Sequence, residues 1–293
     1  VAVVELQTGE GSDAVTVAAG VTTPTSIDGG SPVDDDSLNL TATDNARVTQ
    51  GADATTGVVD NLTGAAEISF AGMQFLNVQS STADSTLTVR GTDDGDNIAA
   101  AEVADTDLNT DENIARVWVN DGTVITANPD TTNNNFTTVA LEGRFGNDSF
   151  SLTPVTGVGL TARGNDPGAS DDAVVHAAAN VDYAPTASDG AVVTVTGLAP
   201  VTLETIEHVT ITGDDGDRQL TITTPTGVRN TVFTPGSTAD AGSATVDSLL
   251  PMSFTNLGGS GSLAISDPDG PSDDSLTIQG TTNDDAVTVT AAG

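Results

Sequence analysis

Short acidic turns are the parts of this chain most able to do chemistry. Each gathers several aspartates, or aspartate with asparagine, within a few residues and so offers many oxygen atoms. Calcium takes roughly six to eight oxygen ligands from carboxylates, amides and backbone carbonyls. Because neighbouring carboxylates repel one another, a bound cation would also relieve their repulsion. This pattern predicts calcium sites at Asp28, Asp34, Asp36, Asp93, Asp94, Asp96, Asn147, Asp148, Asp166, Asp171, Asp172, Asp214, Asp215, Asp217, Asp267, Asp269, Asp273, Asp274, Asp284 and Asp285.

Two other interpretations of these turns stay open. Aspartate and asparagine form turns without any ion, because their side chains bond the nearby backbone. A surface adapted to high salt would also be acidic. The chain has 34 aspartates against 8 glutamates, and the aspartates concentrate at turns. This bias favours site chemistry over general surface charge.

The overall charge excludes several classes of function. Acidic residues number 42 and basic residues 7, all of them arginine, for a net charge of -35. Such a chain repels phosphate backbones, which argues against a nucleic-acid partner. The absence of cysteine excludes disulfides and cysteine metal sites. No apolar run approaches the ~18 residues of a membrane span, so membrane insertion is not predicted.

Alternating residues fill the stretches between the acidic turns. Apolar residues alternate with threonine in runs such as Leu87-Thr88-Val89 and Val193-Thr194-Val195. Such alternation is typical of half-buried strands, and the Gly, Asp, Asn and Pro clusters between the runs are typical of turns. The sequence therefore predicts an all-β chain with roughly twenty or more short strands and essentially no helix.

Three motifs recur in one fixed order along the chain. A strand, a Gly/Asp turn and a second strand occupy 136–152, and this segment superimposes on residues 70 positions later and 135 positions earlier. A proline-containing acidic turn follows each copy, and a Thr/Asp-rich element opens the next unit, as at Gly91 and Gly280. The cycle predicts a repeat architecture. The predicted units are 1–85 (partial at the N-terminus), 86–190 and 191–279, with 280–293 starting another, and 100–135, 178–190 and 223–260 are predicted insertions.

Two all-β architectures fit these repeats. One is a parallel β-solenoid, or β-helix-like array, and the other is a string of β-sandwich domains. Aromatic residues are only 3% of the chain, whereas a sandwich core is usually filled by large side chains. The composition therefore favours the solenoid. The chain begins with Val1, and both of its ends lie close to or within strand patterns, which predicts a processed chain or a segment of a longer one.

One turn resembles a known calcium-binding motif. The residues from Gly143 to Phe150 resemble one unit of the nonapeptide of RTX (haemolysin-type) proteins, whose pattern is GGxGxDx followed by an apolar residue. Arg144 replaces the second glycine of that pattern, and Asp148 matches its aspartate. The residues from Gly9 to Val15 keep two glycines, Asp13 and the apolar position, but the motif does not run in tandem every nine residues.

Most of the chain is similar to the long repeats of giant secreted or cell-surface proteins of planctomycetes and related bacteria. The Asp-Pro turn and the Gly-Thr element, as in 280–285, carry this resemblance. It implies an extended β structure, degenerate calcium-binding turns, an extracellular or cell-surface location and an adhesive or matrix role.

The expected function is structural. The chain is expected to be a calcium-stabilised repeat segment that self-assembles into a filament, layer or matrix, with further copies or neighbouring repeats as partners and surface glycans as an additional partner. Catalysis is not predicted, because HExxH, GxSxG and Cys/His pairs are absent and His176 and His208 fit strand positions. The alternative is a carbohydrate-binding or carbohydrate-cleaving β-solenoid, which needs clustered aromatics in a groove and, for cleavage, a fixed acid pair.

Overall fold

A computed structural model of the chain describes residues 3–30, 35–60, 65–102, 114–128, 135–166, 168, 170–269 and 273–280. Within these residues the chain forms 26 β-strands and no helix, which confirms the all-β prediction. The predicted calcium ligands Asp34, Asp284 and Asp285 lie outside the described residues.

The strands are short and follow one another at turns. In chain order they are β1 Val4–Gln7, β2 Ala14–Val17, β3 Thr25–Asp28, β4 Ser37–Ala42, β5 Ala46–Gln50, β6 Gly57–Asp60, β7 Ile68–Ala71, β8 Phe75–Ser80, β9 Ser85–Arg90, β10 Asn97–Glu102, β11 Ala115–Val119, β12 Val124–Ala127, β13 Phe136–Glu142, β14 Ser149–Leu152, β15 Gly159–Arg163, β16 Asp172–His176, β17 Val181–Ala187, β18 Gly190–Val195, β19 Val201–Glu204, β20 His208–Thr212, β21 Gln219–Thr223, β22 Asn230–Pro235, β23 Gly242–Val246, β24 Met252–Thr255, β25 Ser262–Ser266 and β26 Ser275–Ile278.

These strands form two continuous sheets of 13 strands each. The first sheet has the order β1-β3-β7-β6-β5-β9-β13-β15-β19-β18-β17-β21-β25, and the second has the order β2-β4-β8-β12-β11-β10-β14-β16-β20-β24-β23-β22-β26. Most neighbours are parallel, as where β13 lies between β9 and β15. Each layer of the stack has one strand in each sheet, which is the arrangement of a β-solenoid. Two unbroken sheets differ from the separate sheet pairs that a string of sandwich domains would form.

Four antiparallel meanders interrupt the parallel coil. They are β5–β7 and β17–β19 in the first sheet, and β10–β12 and β22–β24 in the second. In each, the chain skips ahead and then returns, so that β5 lies beside β9 while β7 lies beside β3. The predicted insertions 100–135, 178–190 and 223–260 overlap three of these meanders.

The core lies between the two sheets and follows the alternation of the sequence. Leu38 and Leu40 of β4 and Leu87 and Val89 of β9 point inward and are buried. Each fully buried aliphatic side chain of this kind contributes about 1.5–3 kcal/mol relative to exposure. Tyr183 is also buried, and its hydroxyl donates to the Leu250 carbonyl at 2.7 Å.

The strand order repeats along the chain. The run β13–β24 follows the same order and the same alternation of sheets as β1–β12, and the first strand-turn-strand segments of the two runs are offset by 135 residues. The copy at 206–222 is β20–β21, which runs from the second sheet to the first, so the 70-residue offset exchanges the sheets. The predicted unit boundaries at residues 85 and 190 fall in β9 and β18, and they stay predictions.

Candidate functional site

The turns that carry the chain from the first sheet to the second stack along one corner of the solenoid. The last residue of each turn directly precedes a strand of the second sheet, and we call these stacked residues the corner ladder. Its members, in stacking order, are Asp13, Asp36, Gln74, Asp96, Asp148, Asp171, Glu207, Arg229 and Asp274. The stacking places acids that are distant in sequence side by side.

Hydrogen bonds join successive members of the corner ladder. The backbone N–H of one member donates to a side-chain oxygen of the next, so each acid caps the strand start of its neighbour. These bonds run from Asp13 to Asp36, from Asp36 to Gln74, from Asp96 to Asp148, from Asp148 to Asp171 and from Asp171 to Glu207, each at 2.8 Å, and from Arg229 to Asp274 at 2.7 Å. The longest run therefore spans four layers, from Asp96 to Glu207.

A glycine at the start of the turn makes room for the buried carboxylate. A Cβ placed on Gly143 would come within 1.9 Å of Asp148 Oδ2, and one on Gly164 would come within 1.9 Å of Asp171 Oδ2. At Gly91 the nearest atom would be Asp96 Oδ2 at 2.2 Å. Any larger residue would therefore displace the acid, which explains the pairing of an initial glycine with a final aspartate in these turns.

Four carboxylates of the corner ladder each bury one oxygen that has no hydrogen-bond partner among the described residues. These oxygens are the Oδ2 atoms of Asp13, Asp36, Asp148 and Asp171. The side chains of Asp36, Asp148 and Asp171 are almost wholly buried, with at most 1% exposed. An unpaired buried polar atom costs about 1–3 kcal/mol, and more when it is charged. The unpaired Oδ2 atoms thus need a proton or a cation to offset this cost.

At Asp96, the equivalent carboxylate of a neighbouring layer has hydrogen-bond partners within its own turn. The Thr92 N–H donates to Asp96 Oδ2 at 2.7 Å, and the Thr92 hydroxyl donates to Oδ1 at 3.0 Å. Arg144 occupies the matching position in the next layer and has a positive φ of 87°. Its N–H donates instead to the Gly164 carbonyl at 3.1 Å, so it does not reach Asp148.

Burial changes the titration of the central ladder acids. Burial, together with the carboxylates of Asp171 and Asp96, raises the pKa of Asp148 to about 7, although the N–H from Asp96 lowers it in part. Burial also raises the pKa of Asp171, with Glu207 as the first of its charged neighbours. Near neutral pH, therefore, Asp148 can hold either a proton or a cation.

Arginines pair with other predicted ligands. Arg144 contacts Asp93 at 2.8 Å, across adjacent layers. Arg218 contacts Asp214 at 2.8 Å within one turn, and its hydrogen bond lowers the pKa of Asp214 to about 2. The turn that holds Asp214 and Arg218 joins β20 of the second sheet to β21 of the first, so this pair lies outside the corner ladder.

The remaining predicted ligands mostly bond backbone atoms in exposed turns. Asp28, Asp166 and Asp267 each accept the N–H two residues later, which is the turn-forming role of aspartate. Three other side chains accept a backbone N–H from a neighbouring layer. The pairs are Asn147 with Ser170 N–H at 3.0 Å, Asp217 with Ser260 N–H at 2.7 Å and Asp269 with Gly227 N–H at 2.5 Å. The side chain of Asp172 contacts His208 of the neighbouring layer at 3.2 Å. Asp94, Asp215 and Asp273 are exposed and contribute nothing to the ladder.

Carboxylates alone do not complete a metal site in this structure. Within the described ranges, no group of three or more His, Cys, Asp or Glu side chains is placed to hold one ion. A calcium ion at the ladder would therefore use an unpaired Oδ2 atom together with backbone carbonyls of the turn, which calcium accepts as ligands. Among the predicted ligands that the structure describes, Asp36, Asp96, Asp148 and Asp171 are buried in the ladder, Asp274 is an exposed ladder member, and the others lie outside the ladder.

The corner ladder contains residues that sequence reasoning missed. Gln74, Glu207 and Arg229 occupy ladder positions but were not predicted as site residues, because none is an aspartate in an acidic cluster. Their shared signal is their place, one residue before a strand of the second sheet. Asp13 has this place too, within the segment that resembles an RTX unit.

The two histidines lie on the outer face of the second sheet. His176 Nε2 lies 3.0 Å from the Ser151 hydroxyl. Asp172 and Ser170 both approach Nδ1 of His208, at 3.2 and 3.3 Å. A catalytic triad instead places its acid and its nucleophile on opposite ring nitrogens, so this geometry does not form one.

Comparison of the chain with protein-family models, curated proteins and solved structures gave no match. In the part of the chain that the structure describes, no helix is long and apolar enough to span a membrane. The functional argument therefore depends on the geometry of the solenoid and its corner ladder.

Proposed function

We propose that this chain is a structural, calcium-stabilised repeat segment of an extracellular or cell-surface protein, and that it self-associates. The observation that carries the proposal is the corner ladder, in which Asp36, Asp148 and Asp171 bury carboxylates whose Oδ2 atoms have no partner among the described residues. An ion bound there would join successive layers of the solenoid.

The charge balance supports a cation as the missing partner. The chain carries a net charge of -35, and the arginine pairs among the described residues use acids other than Asp36, Asp148 and Asp171. The charged neighbours that most affect the pKa of Asp148 are other acids, Asp171, Asp96 and Asp166. A divalent cation would offset both their mutual repulsion and the cost of burial.

The architecture supports a structural role. A solenoid is stabilised by contacts between neighbouring layers and offers long outer faces. The outer face of the first sheet carries a row of alternating charges, in which Arg163 contacts Glu204 at 2.6 Å and Arg90 contacts Glu142 at 2.5 Å. These pairs join strands β9, β13, β15 and β19 on the outside, as the corner ladder does at the edge.

Thermal unfolding with and without calcium tests the proposal. A ligand that binds only the folded state stabilises it by mass action, and at extracellular affinities of about 10⁻⁴–10⁻³ M millimolar calcium should raise the melting temperature above its value in EDTA. Asp148→Asn should reduce this calcium response. Asp84→Asn removes one charge from an exposed turn and should leave the response unchanged. Identical melting curves in calcium and EDTA, with no metal by elemental analysis, would contradict calcium binding.

One groove favours the carbohydrate-binding alternative. It has a volume of about 800 Å³ beside the β22–β23 turn, and Phe233 and Phe254 stack in its wall with ring centroids 6.2 Å apart. Asp240 is the one acid among the described residues that line it. Cleavage by a carboxylate pair needs two acids, so the groove favours binding over hydrolysis. A glycan array with the intact chain, and with Phe233→Ala as the matched variant, tests this alternative.

A further inference from the structure

Both ends of the described solenoid expose side chains of the core. At one end, Val4 and Leu6 of β1 are 51% and 41% exposed, and at the other end Leu276 and Ile278 of β26 are 54% and 47% exposed. Elsewhere in the described strands, side chains at equivalent inward positions are mostly buried. We call the end formed by β1 and β2, which exposes Val4 and Leu6, the β1/β2 face. We call the end formed by β25 and β26, which exposes Leu276 and Ile278, the β25/β26 face.

The register of the strands shows that these side chains belong to the core. Leu6 pairs in register with Ile27, which is buried. Leu276 pairs with Thr231, which is also buried. The exposed residues therefore point between the sheets, and no described strand covers them. This distinguishes them from Val228, which is exposed in a turn.

The chain itself shows what covers such a face. The β13–β14 layer, which is offset from β1–β2 by 135 residues, is covered on the equivalent side by β9 and β10. There Leu141 pairs in parallel register with Val89, and Phe150 pairs with Ile98. A face of this type accepts a parallel two-stranded layer that presents a pair of apolar residues from each strand.

The β25/β26 face presents such a layer. Leu263 and Ile265 face inward from β25, and Leu276 and Ile278 face inward from β26. Because β1 and β25 lie at opposite ends of one sheet, and β2 and β26 at opposite ends of the other, translation along the solenoid axis brings the two faces together in parallel orientation.

We infer that the two faces form one head-to-tail interface between copies of this chain, with β25 beside β1 and β26 beside β2. The inference deepens the self-association in the proposed function by assigning its surfaces. When the inward residues are aligned, with Leu6 beside Ile265, Glu5 lies opposite Ala264 and Thr16 lies opposite Thr277. No two like charges then face each other across these strands.

The corner ladder would continue across the same interface. Within the described solenoid, six ladder N–H groups donate to the side chain of the following layer, and five of those acceptors are acids. Asp274 belongs to the last described layer and Asp13 to the first. Head-to-tail stacking places the Asp274 N–H beside the Asp13 carboxylate, which is the donor–acceptor pair that the interior layers use. Such a contact does not close on itself and builds an open filament.

Paired cysteines test the interface directly, because the natural chain has no cysteine. Thr16→Cys and Thr277→Cys place thiols on outward, exposed positions of β2 and β26. Adjacent strands lie about 4.8 Å apart, which falls within the Cα separation that a disulfide spans. An equimolar mixture of the two single variants is oxidised mildly and analysed on a non-reducing gel. The control mixture replaces Thr16→Cys by Thr210→Cys, on β20 in the middle of the second sheet.

The expected result is a cross-linked dimer severalfold more abundant in the Thr16→Cys and Thr277→Cys mixture than in either variant alone or in the control mixture. A chain carrying both substitutions should give a series of cross-linked multimers on the gel. Dimers of Thr277→Cys alone, or of Thr16→Cys alone, at the yield of the mixture would show a symmetric contact and overturn the inference. Equal yields in the test and control mixtures would also overturn it.

Two additional measurements separate this inference from the proposed function. If light scattering shows multimers while the thiols do not cross-link, self-association stands and the end faces are wrong. If cross-linking is equal in EDTA and calcium, and elemental analysis finds no metal, the end faces stand and the calcium proposal fails.

Discussion

Replacing Asp148 by asparagine separates the two possible states of the corner ladder, protonated and cation-bound. The carboxylate is 1% exposed, and its Oδ2 atom has no hydrogen-bond partner among the described residues. Asparagine keeps an oxygen for the Asp96 N–H, which donates to Asp148 Oδ1 at 2.8 Å, but it cannot ionise. The substitution therefore removes the buried charge while the ladder bond can remain.

The expected magnitude follows from the pKa of Asp148. A rise from 3.8 to about 7 in the folded state corresponds to about 4 kcal/mol at roughly 1.4 kcal/mol per unit. Because the pKa of Asp148 is raised in the folded state, the natural protein has this stabilising free energy below pH 3.8. It loses that free energy as the pH rises to about 7. The asparagine variant does not lose it. An unpaired amide costs about 1–3 kcal/mol, which leaves a net gain of about 1–3 kcal/mol at pH 8.

The assay is thermal unfolding of both proteins in EDTA at pH 4 and pH 8. The variant should melt several degrees higher than the natural protein at pH 8, and no higher at pH 4. Asp84→Asn, at an exposed turn, controls for the loss of one surface charge and should show no such pH dependence. In millimolar calcium the difference at pH 8 should narrow, because calcium at these affinities stabilises the natural protein, which keeps the carboxylate, by roughly 0.4–1.4 kcal/mol. A variant that is no more stable at pH 8 in EDTA, or equally stabilised at both pH values, would refute the reasoning.

Two backbone substitutions test the turn that holds this acid. Gly143→Ala should destabilise the fold by about 1–3 kcal/mol through overpacking, because the added Cβ would lie 1.9 Å from Asp148 Oδ2. Gly259→Ala is the control, since a Cβ there meets nothing within 4 Å. Equal denaturation midpoints for the two variants would contradict the packing argument. Arg144→Gly should stabilise the fold by up to about 1–2 kcal/mol. Arg144 has a φ of 87°, and backbone strain of this kind costs about 1–3 kcal/mol. The substitution also removes the exposed ion pair with Asp93, which is worth only about 0–1 kcal/mol. A denaturation midpoint lower than that of the natural protein would show that the ion pair outweighs the strain.

The strands were predictable because their signal is local. Alternation such as Leu87-Thr88-Val89 places one face inward whatever the neighbouring strand is, and these residues form β9 with Leu87 and Val89 buried. Pairing order is not local. That β5 lies beside β9 and β7 beside β3 depends on which layers the opposite sheet fills, and no run of residues encodes this by itself. The meanders were therefore visible in the sequence only as stretches without the repeat motifs.

The candidate site was predictable in composition and not in geometry. Asp93 and Asp96 belong to the same acidic turn and look equivalent in the sequence. In the structure the Asp93 side chain is 63% exposed and contacts Arg144, while Asp96 is buried in the corner ladder. Their difference comes from position relative to the following strand: Asp96 directly precedes β10, where the chain turns inward. The neighbour that receives each hydrogen bond lies more than twenty residues away, so only the stacking of layers reveals it.

The use of aspartate in the corner ladder bears on the choice between a purely structural turn and a cation site. Capping the N–H of the preceding layer needs one acceptor oxygen, and Gln74 supplies it to Asp36 at 2.8 Å without any charge. An amide would serve equally at Asp148, where the acid instead carries the cost of burial beside Asp171 and Asp96. The ladder bonds alone therefore do not account for carboxylates at consecutive layers. A cation that binds their unpaired Oδ2 atoms does account for them, and it would also place the stability of the solenoid under the control of the calcium concentration.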